Sequence, residues 1–235
     1  MKTRDNFTIM SGNITSVLFL STVLLLCCST TNQTNVRNDK LAARLMEIRY
    51  DGLNDGLFAY DKPSLADSIW RTEDNRQALL EIVSNTGYDD YARLLASEIL
   101  FEKKMNYPVK ELEDTLAYIY SKALFIAGDD SSRTHLYGNL WGFIYQGGGN
   151  DRLGSRLVKI GEKAVPYLSK LLDDTCKIDY VGLEEATIGN LLNYRVKDAA
   201  AYYIGRITGI AVTFHENWAD RDVEIEGLKK KLVIK

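Results

Sequence analysis

Apolar side chains recur three and four positions apart through most of this chain, and only three prolines (Pro63, Pro108, Pro166) interrupt it. In Ala78-Leu79-Ile82-Val83, in Ala92-Leu95-Ala96-Ile99-Leu100 and in Leu112-Leu116-Ile119-Tyr120-Ala123, that spacing gathers the apolar groups on one side of a helix. No convincing run of strict alternation is present, and no Asn-Gly or Asp-Gly pair joins two β-rich segments. The pattern predicts an all-α fold of stacked antiparallel helix pairs, packed around an apolar core over residues 40–235.

The polar residues between these stripes supply the punctuation. A first helix is expected over Lys40–Tyr50, followed by a short irregular segment holding Asp51-Gly52 and Asp55-Gly56. Ser64 or Asp67 is placed to open one helix and Gly87 to stop it, with Asp89 or Asp90 capping the next. Paired aspartates at 89–90, 129–130 and 173–174 read as caps and solvated turns.

The most specific wording of the helical part runs from Arg156 to Asp174. Gly161 suits the left-handed end of one helix, and Pro166 suits the first turn of the next, where its missing N–H costs nothing. Leu168, Leu171 and Leu172 then supply a buried stripe. This segment resembles a HEAT-type helical repeat. Val196–Ile207 looks like the first helix of a second unit, with Ile204-Gly205 about 44 residues after Ile160-Gly161, inside the 40–47 of that class. The resemblance is clearest over 152–210 and implies an α-solenoid or an irregular helical domain. The pattern of Trp218, Val223, Ile225, Leu228 and Leu232 is placed to cap the stack.

A different signal stands at the beginning. Lys2 and Arg4 precede the apolar run Val17–Leu26, which meets Cys27-Cys28-Ser29-Thr30. The run is shorter than the ~20 residues that cross a bilayer as a helix, which favours a signal peptide over a permanent anchor. Leu25-Leu26-Cys27-Cys28 resembles the lipobox of bacterial lipoproteins. That resemblance implies cleavage after residue 27, a lipid on Cys28 (alternatively Cys27) and residence in the bacterial cell envelope, anchored through the N-terminal lipid. An ordinary signal peptide with incidental cysteines and an uncleaved anchor are the competing readings. Residues 28–39 are polar and read as a flexible tether.

Removing residues 1–27 takes away Lys2, Arg4 and Asp5 and leaves a net charge of about −4. Such mild acidity argues against nucleic acid as a partner, since its binders neutralise phosphates with basic patches. With Cys28 acylated and Cys27 removed, Cys176 is the remaining cysteine, so no intramolecular disulfide is expected, and its side chain is expected to pack, buried or half-buried, as a small apolar residue. The fold then rests on its core alone.

Chemical motifs fail on named residues. Gly149 and Gly154 stand at phosphate-loop spacing, but Ser155-Arg156 replaces the Lys-Ser/Thr that the loop requires. His215-Glu216 begins a zinc-protease pattern that Ala219 breaks, and His135 is the one other histidine. Leu53 and Lys62 occupy ligand positions of a calcium-loop pattern beginning at Asp51. No cofactor, metal or catalytic residue is therefore nominated.

Tyr137–Tyr145 is expected to be helical, with Tyr137, Leu140, Trp141 and Ile144 on one face. Its aromatic face suits either a partner or tight packing around Trp141. Trp141, Tyr202, Tyr203 and Trp218 are taken as the candidate partner-binding surface. The expected role is a membrane-anchored protein-binding or scaffolding module whose partner is another envelope protein. The alternatives are an envelope enzyme with an unrecognised site and an immunity-like, toxin-neutralising protein.

Overall fold

The computed structural model describes residues 35–50, 56–58, 64–72, 74–129, 134, 136–142, 144 and 151–233. The sequence readings on Cys27, Cys28, His135 and Gly147–Gly149 lie outside these residues. All regular structure among the described residues is helical, as the spacing predicts, apart from two isolated bridges, Arg49 with Gly56 and Lys177 with Arg195. No helix among them is long and apolar enough to cross a membrane.

Helix α1 covers residues 35–47 and so begins within the stretch expected to be tether. The reason is a tertiary contact: Asn38 is buried and its amide bonds to Glu81, drawing the first turn onto the domain. One helix was expected between Ser64 and Gly87, but two form, α2 (Leu65–Arg71) and α3 (Asn75–Ser84). Ser64 caps α2, with Asp67 returning the bond to the Ser64 backbone. At the break, the Asn75 amide donates to the Ile69 carbonyl (3.0 Å) and the Arg76 Nε to that of Trp70 (3.4 Å). These bonds satisfy carbonyls that a helix end leaves open.

Asp89 caps α4 (Asp90–Lys103) through the Tyr91 N–H, and α3 and α4 pack together across a short connection. Every residue of α4 from Tyr91 to Phe101 is buried, the charged Arg93 and Glu98 included. Helix α5 (Glu113–Asp129) lies against α4 and also meets α6 (Arg152–Ile160), so these helices enclose the centre of the core.

The anatomy expected after Arg156 is present. Helix α6 ends at Ile160, Gly161 takes a positive φ of 79°, a 3-10 turn follows, and α7 (Val165–Ser169) opens with Pro166 in its first turn. The second boundary differs. Helix α9 (Val196–Thr208) runs through Gly205 and ends at Gly209, which has φ 74°. Gly205 is a point of close approach: a Cβ there would meet the Ile210 carbonyl and Val212 at 2.9 Å, where the chain doubles back over the helix.

The expected helix over 137–145 is reduced to a 3-10 turn, Gly138–Trp141, which ends at the left-handed Gly142. Gly138 spends its N–H on the Asp179 carbonyl (2.7 Å). The Tyr180 ring packs against Gly138 on one side and Gly189 of α8 (Glu184–Leu192) on the other, and a Cβ at either glycine would fall 2.3 Å from it. Gly138, a low-propensity residue, thus gives up α-helix for a tertiary contact, whereas Gly189 makes its contact from within α8. Helix α10 (Trp218–Val233) closes the chain against α9, burying Arg221, Ile225 and Leu228. Val223, expected in its inner stripe, is exposed.

Candidate functional site

The four aromatic residues chosen from sequence do not share a surface. Trp141 and Tyr203 are core residues, 1% and 0% exposed. The Tyr203 hydroxyl donates to the Trp141 carbonyl. Their rings begin a continuous run: Trp141 to Tyr203 (6.1 Å), Tyr203 to Tyr202 (5.2 Å), Tyr202 to Phe214 (5.3 Å) and Phe214 to Tyr194 (5.7 Å). Edge-to-face contacts of this kind favour packing over recognition. Trp141 and Tyr203 are therefore corrected from partner contacts to core. Tyr202 is half-buried, and Trp218 is 44% exposed.

Trp218 stands at the rim of a charged cluster that joins α9 to α10. Asp198 is at its centre, with no exposed side-chain surface. One carboxylate oxygen accepts from the Arg195 backbone N–H (2.9 Å), Arg195 Nε (3.0 Å) and Arg221 Nη1 (2.8 Å), and the other from Arg195 Nη2 (2.8 Å). Arg195 Nη2 also reaches Asp222 (2.8 Å), which Lys197 neutralises further. Arg221 donates to the Leu192 carbonyl (2.6 Å) and lies over the Tyr194 ring (5.0 Å). Trp218 donates to the Asn193 carbonyl and takes Arg195 and Lys177 over its ring at 5.2 and 5.5 Å.

Electrostatics here follow from burial and pairing. Burial pulls the Arg221 guanidinium below its ordinary value despite Asp198 beside it. Burial acts the same way on Arg195, but its bonds to Asp198 and Asp222 outweigh the cost and raise it. Burial would raise Asp222, yet the bonds from Lys197 and Arg195 hold it low. Arg221 Nε is the one buried polar atom of this cluster without a hydrogen-bond partner among the described residues, and the work of the other bonds is to lock two helices together.

A second buried polar group lies between α4, α5 and the segment after α1. Glu98 accepts from the hydroxyls of Tyr50 (2.7 Å) and Tyr120, while Ser97 contacts Tyr107 and Tyr120 at 3.2 and 3.3 Å. Arg156 of α6 stands 3.8 Å from Glu98. Burial raises the Glu98 carboxyl, an effect that the Tyr120 bond, Arg156 and the Tyr50 bond partly offset. Desolvation together with the Glu98 charge drives both phenols well above their ordinary value. Glu98, Tyr50 and Tyr120 are 0%, 3% and 0% exposed, so this group is sealed from external reactants.

His215 reaches only Glu224, at 3.9 Å. Among the described residues no group of three or more His, Cys, Asp or Glu side chains is placed to hold a metal ion. Cys176, expected to be buried or half-buried, is exposed. Its backbone is fixed by Asp174 and Val196 at a turn, which turns the side chain outward.

What sequence reasoning passed over is α8. Only Gly189 of this helix is buried, and Leu191 within it and Leu183 beside it are 79% and 94% exposed. Val181 is exposed as well. The residues between Cys176 and Leu192 are longer and less regular than a strict repeat and give no clean helical stripe. No protein family, characterised protein or solved structure matches the chain.

Proposed function

We propose that this is an exported, lipid-anchored bacterial envelope protein that acts by holding a partner protein. The observation that carries the reading is the exposure of three apolar residues in and just before α8, Leu191 within the helix and Val181 and Leu183 ahead of it. Leaving large apolar groups on a helix with almost no core contact is explained by a partner that covers them. Each leucine fully covered contributes about 1.5–3 kcal/mol. Trp218 adds an aromatic group on the same C-terminal half, tied to Asn193 just after α8. The Asp198 cluster braces this segment, since Arg221 donates to the Leu192 carbonyl at the end of α8.

The lipobox-like Leu25-Leu26-Cys27-Cys28 supports the anchor, whose acyl chains contribute about 0.8 kcal/mol per buried CH₂. Two experiments test the reading. Labelled fatty acid should enter the full chain and not Cys28→Ser; label persisting in that variant moves the site to Cys27, and none in the full chain removes the anchor. A photo-crosslinking residue placed at Leu183 or Leu191 in intact cells should yield one discrete adduct, absent when it is placed at the distant, equally exposed Met105. No adduct at any position, or the same adduct at all three, refutes partner holding.

A further inference from the structure

Helix α10 turns Arg221, Ile225 and Leu228 to the core. Asp220, Val223, Gly227 and Lys230 follow one another at the three-and-four spacing that gathers residues on the opposite side. Val223 is 73% exposed, and Asp220 and Lys230 are exposed as well. The Asp220 carboxylate accepts from the Asn217 amide in its own turn. Neither Asp220 nor Lys230 is within ion-pair distance of an opposite charge among the described residues.

Gly227 has no reason within a single chain. It lies inside a 16-residue helix, where glycine lowers stability relative to alanine. Its φ is not positive, and a Cβ built on it would meet nothing within 4 Å. What the missing side chain leaves is a gap on the outer side, one turn from Val223. Charge is also segregated along the helix. Asp220, Asp222, Glu224 and Glu226 occupy its first part, and Lys229, Lys230 and Lys231 its end. That order suits the dipole of the helix itself, and it also makes the helix complementary to an antiparallel copy of itself.

We propose that α10 pairs antiparallel with α10 of a second copy of this chain. Both features share one centre: Val223 and Gly227 are equidistant from position 225, and so are Asp220 and Lys230. A two-fold axis there lays each Val223 into the gap over the other copy's Gly227. The same axis sets each Asp220 beside the other copy's Lys230, as an isologous contact requires. An unrelated partner would not need apolar group, gap, acid and base to be spaced about one midpoint. Parallel packing would set like charges together, at an electrostatic cost. One helix pair about 24 Å long is a small interface, so the dimer is weak, with a Kd on the order of 0.1 mM. Trp218 is turned away from this face towards the Asn193 carbonyl, which leaves the surface on α8 separate.

The test is sedimentation equilibrium of the full chain under reducing conditions, in excess detergent of matched density so that protein mass alone is read. A monomer–dimer equilibrium is expected, and Val223→Asp should weaken it at least about tenfold. Gly227→Ala should weaken it about three- to tenfold while raising the unfolding midpoint, because alanine favours the helix and meets nothing in the monomer. Asp220→Lys and Lys230→Asp should each weaken it about five- to tenfold in low salt, since both charge contacts of the dimer then join like signs. Their equimolar mixture joins opposite signs at both contacts and should associate as the unaltered chain does. A chain that stays monomeric to about 1 mM overturns the proposal. So do dimers indifferent to Val223→Asp or Gly227→Ala, and a mixture that associates no more tightly than its components. A dimer kept in Val223→Asp but lost in L183D/L191D places self-association on α8 and likewise refutes it.

Discussion

The Asp198 cluster gives the sharpest quantitative expectation, through Asp198→Ala. The substitution removes the acceptor for three side-chain bonds and one backbone bond. Its two arginines fare differently. Arg195 keeps Asp222 and its place over the Trp218 ring. Arg221, 3% exposed, keeps only carbonyl oxygens and the Tyr194 ring, and burial already works against its charge. Stranding one buried guanidinium costs about 3–5 kcal/mol, a large share of a native stability of about 5–15 kcal/mol. At about 2–4 °C per kcal/mol for a chain of this size, Tm should fall by roughly 6–20 °C.

The measurements are thermal and urea unfolding followed by circular dichroism, with the summed fluorescence of the three tryptophans as a second probe. In the Asp198→Ala background, Arg221→Met should recover about 1–3 kcal/mol, since the stranded charge is gone and an apolar chain fills its place. A loss below about 1 kcal/mol for Asp198→Ala, or further destabilisation on adding Arg221→Met, would show that the cluster does not lock α9 to α10.

Other expectations follow from single sites. Glu98→Ala should cost about 2–6 kcal/mol by leaving two buried phenols without their acceptor, and Glu98→Gln less than about 2 kcal/mol because burial already disfavours the ionised form. A raised acid binds its proton more tightly when folded, so the Glu98 contribution to stability should fall as pH rises from 4.5 towards the raised value; calorimetry of Glu98→Gln should lack that slope. Asp67 has the opposite sign: its bonds to Lys103 and Ser64 lower it from 3.8 to about 2, so its contribution is complete above 3.8 and is lost as pH falls through about 2. Asp67→Asn should remove that acid-side decline from a pH series of unfolding midpoints. Gly189→Ala forces a Cβ to within 2.3 Å of the Tyr180 ring, and should speed amide exchange in α8 while leaving α4 unchanged.

The helices were legible wherever one face alone is apolar. Ala78, Leu79, Ile82 and Val83 all lie inward as their spacing requires, and Asp89 caps as its position suggests. Errors came where a tertiary partner outbid local preference. Gly205 looked like a stop because the chain that folds back against it lies five to seven residues further on. Tyr137–Tyr145 has helical spacing, but nothing local announces that Gly138 will bond to Asp179. Trp141 and Tyr203 were legible as large aromatic groups and not as buried ones, since exposure depends on residues 62 apart in sequence.

Helix α4 has a consequence for how freely this protein can vary. From Tyr91 to Phe101 each position faces other protein, and even the polar members Arg93, Ser97 and Glu98 are held by bonds to named neighbours. The segment has no free side on which drift is neutral: an apolar change alters packing, and a polar change strands a partner. Saturation mutagenesis should therefore find eleven consecutive intolerant positions rather than the three-and-four rhythm of an ordinary amphipathic helix. Related chains should align through this window first, while the sequence around α8 diverges.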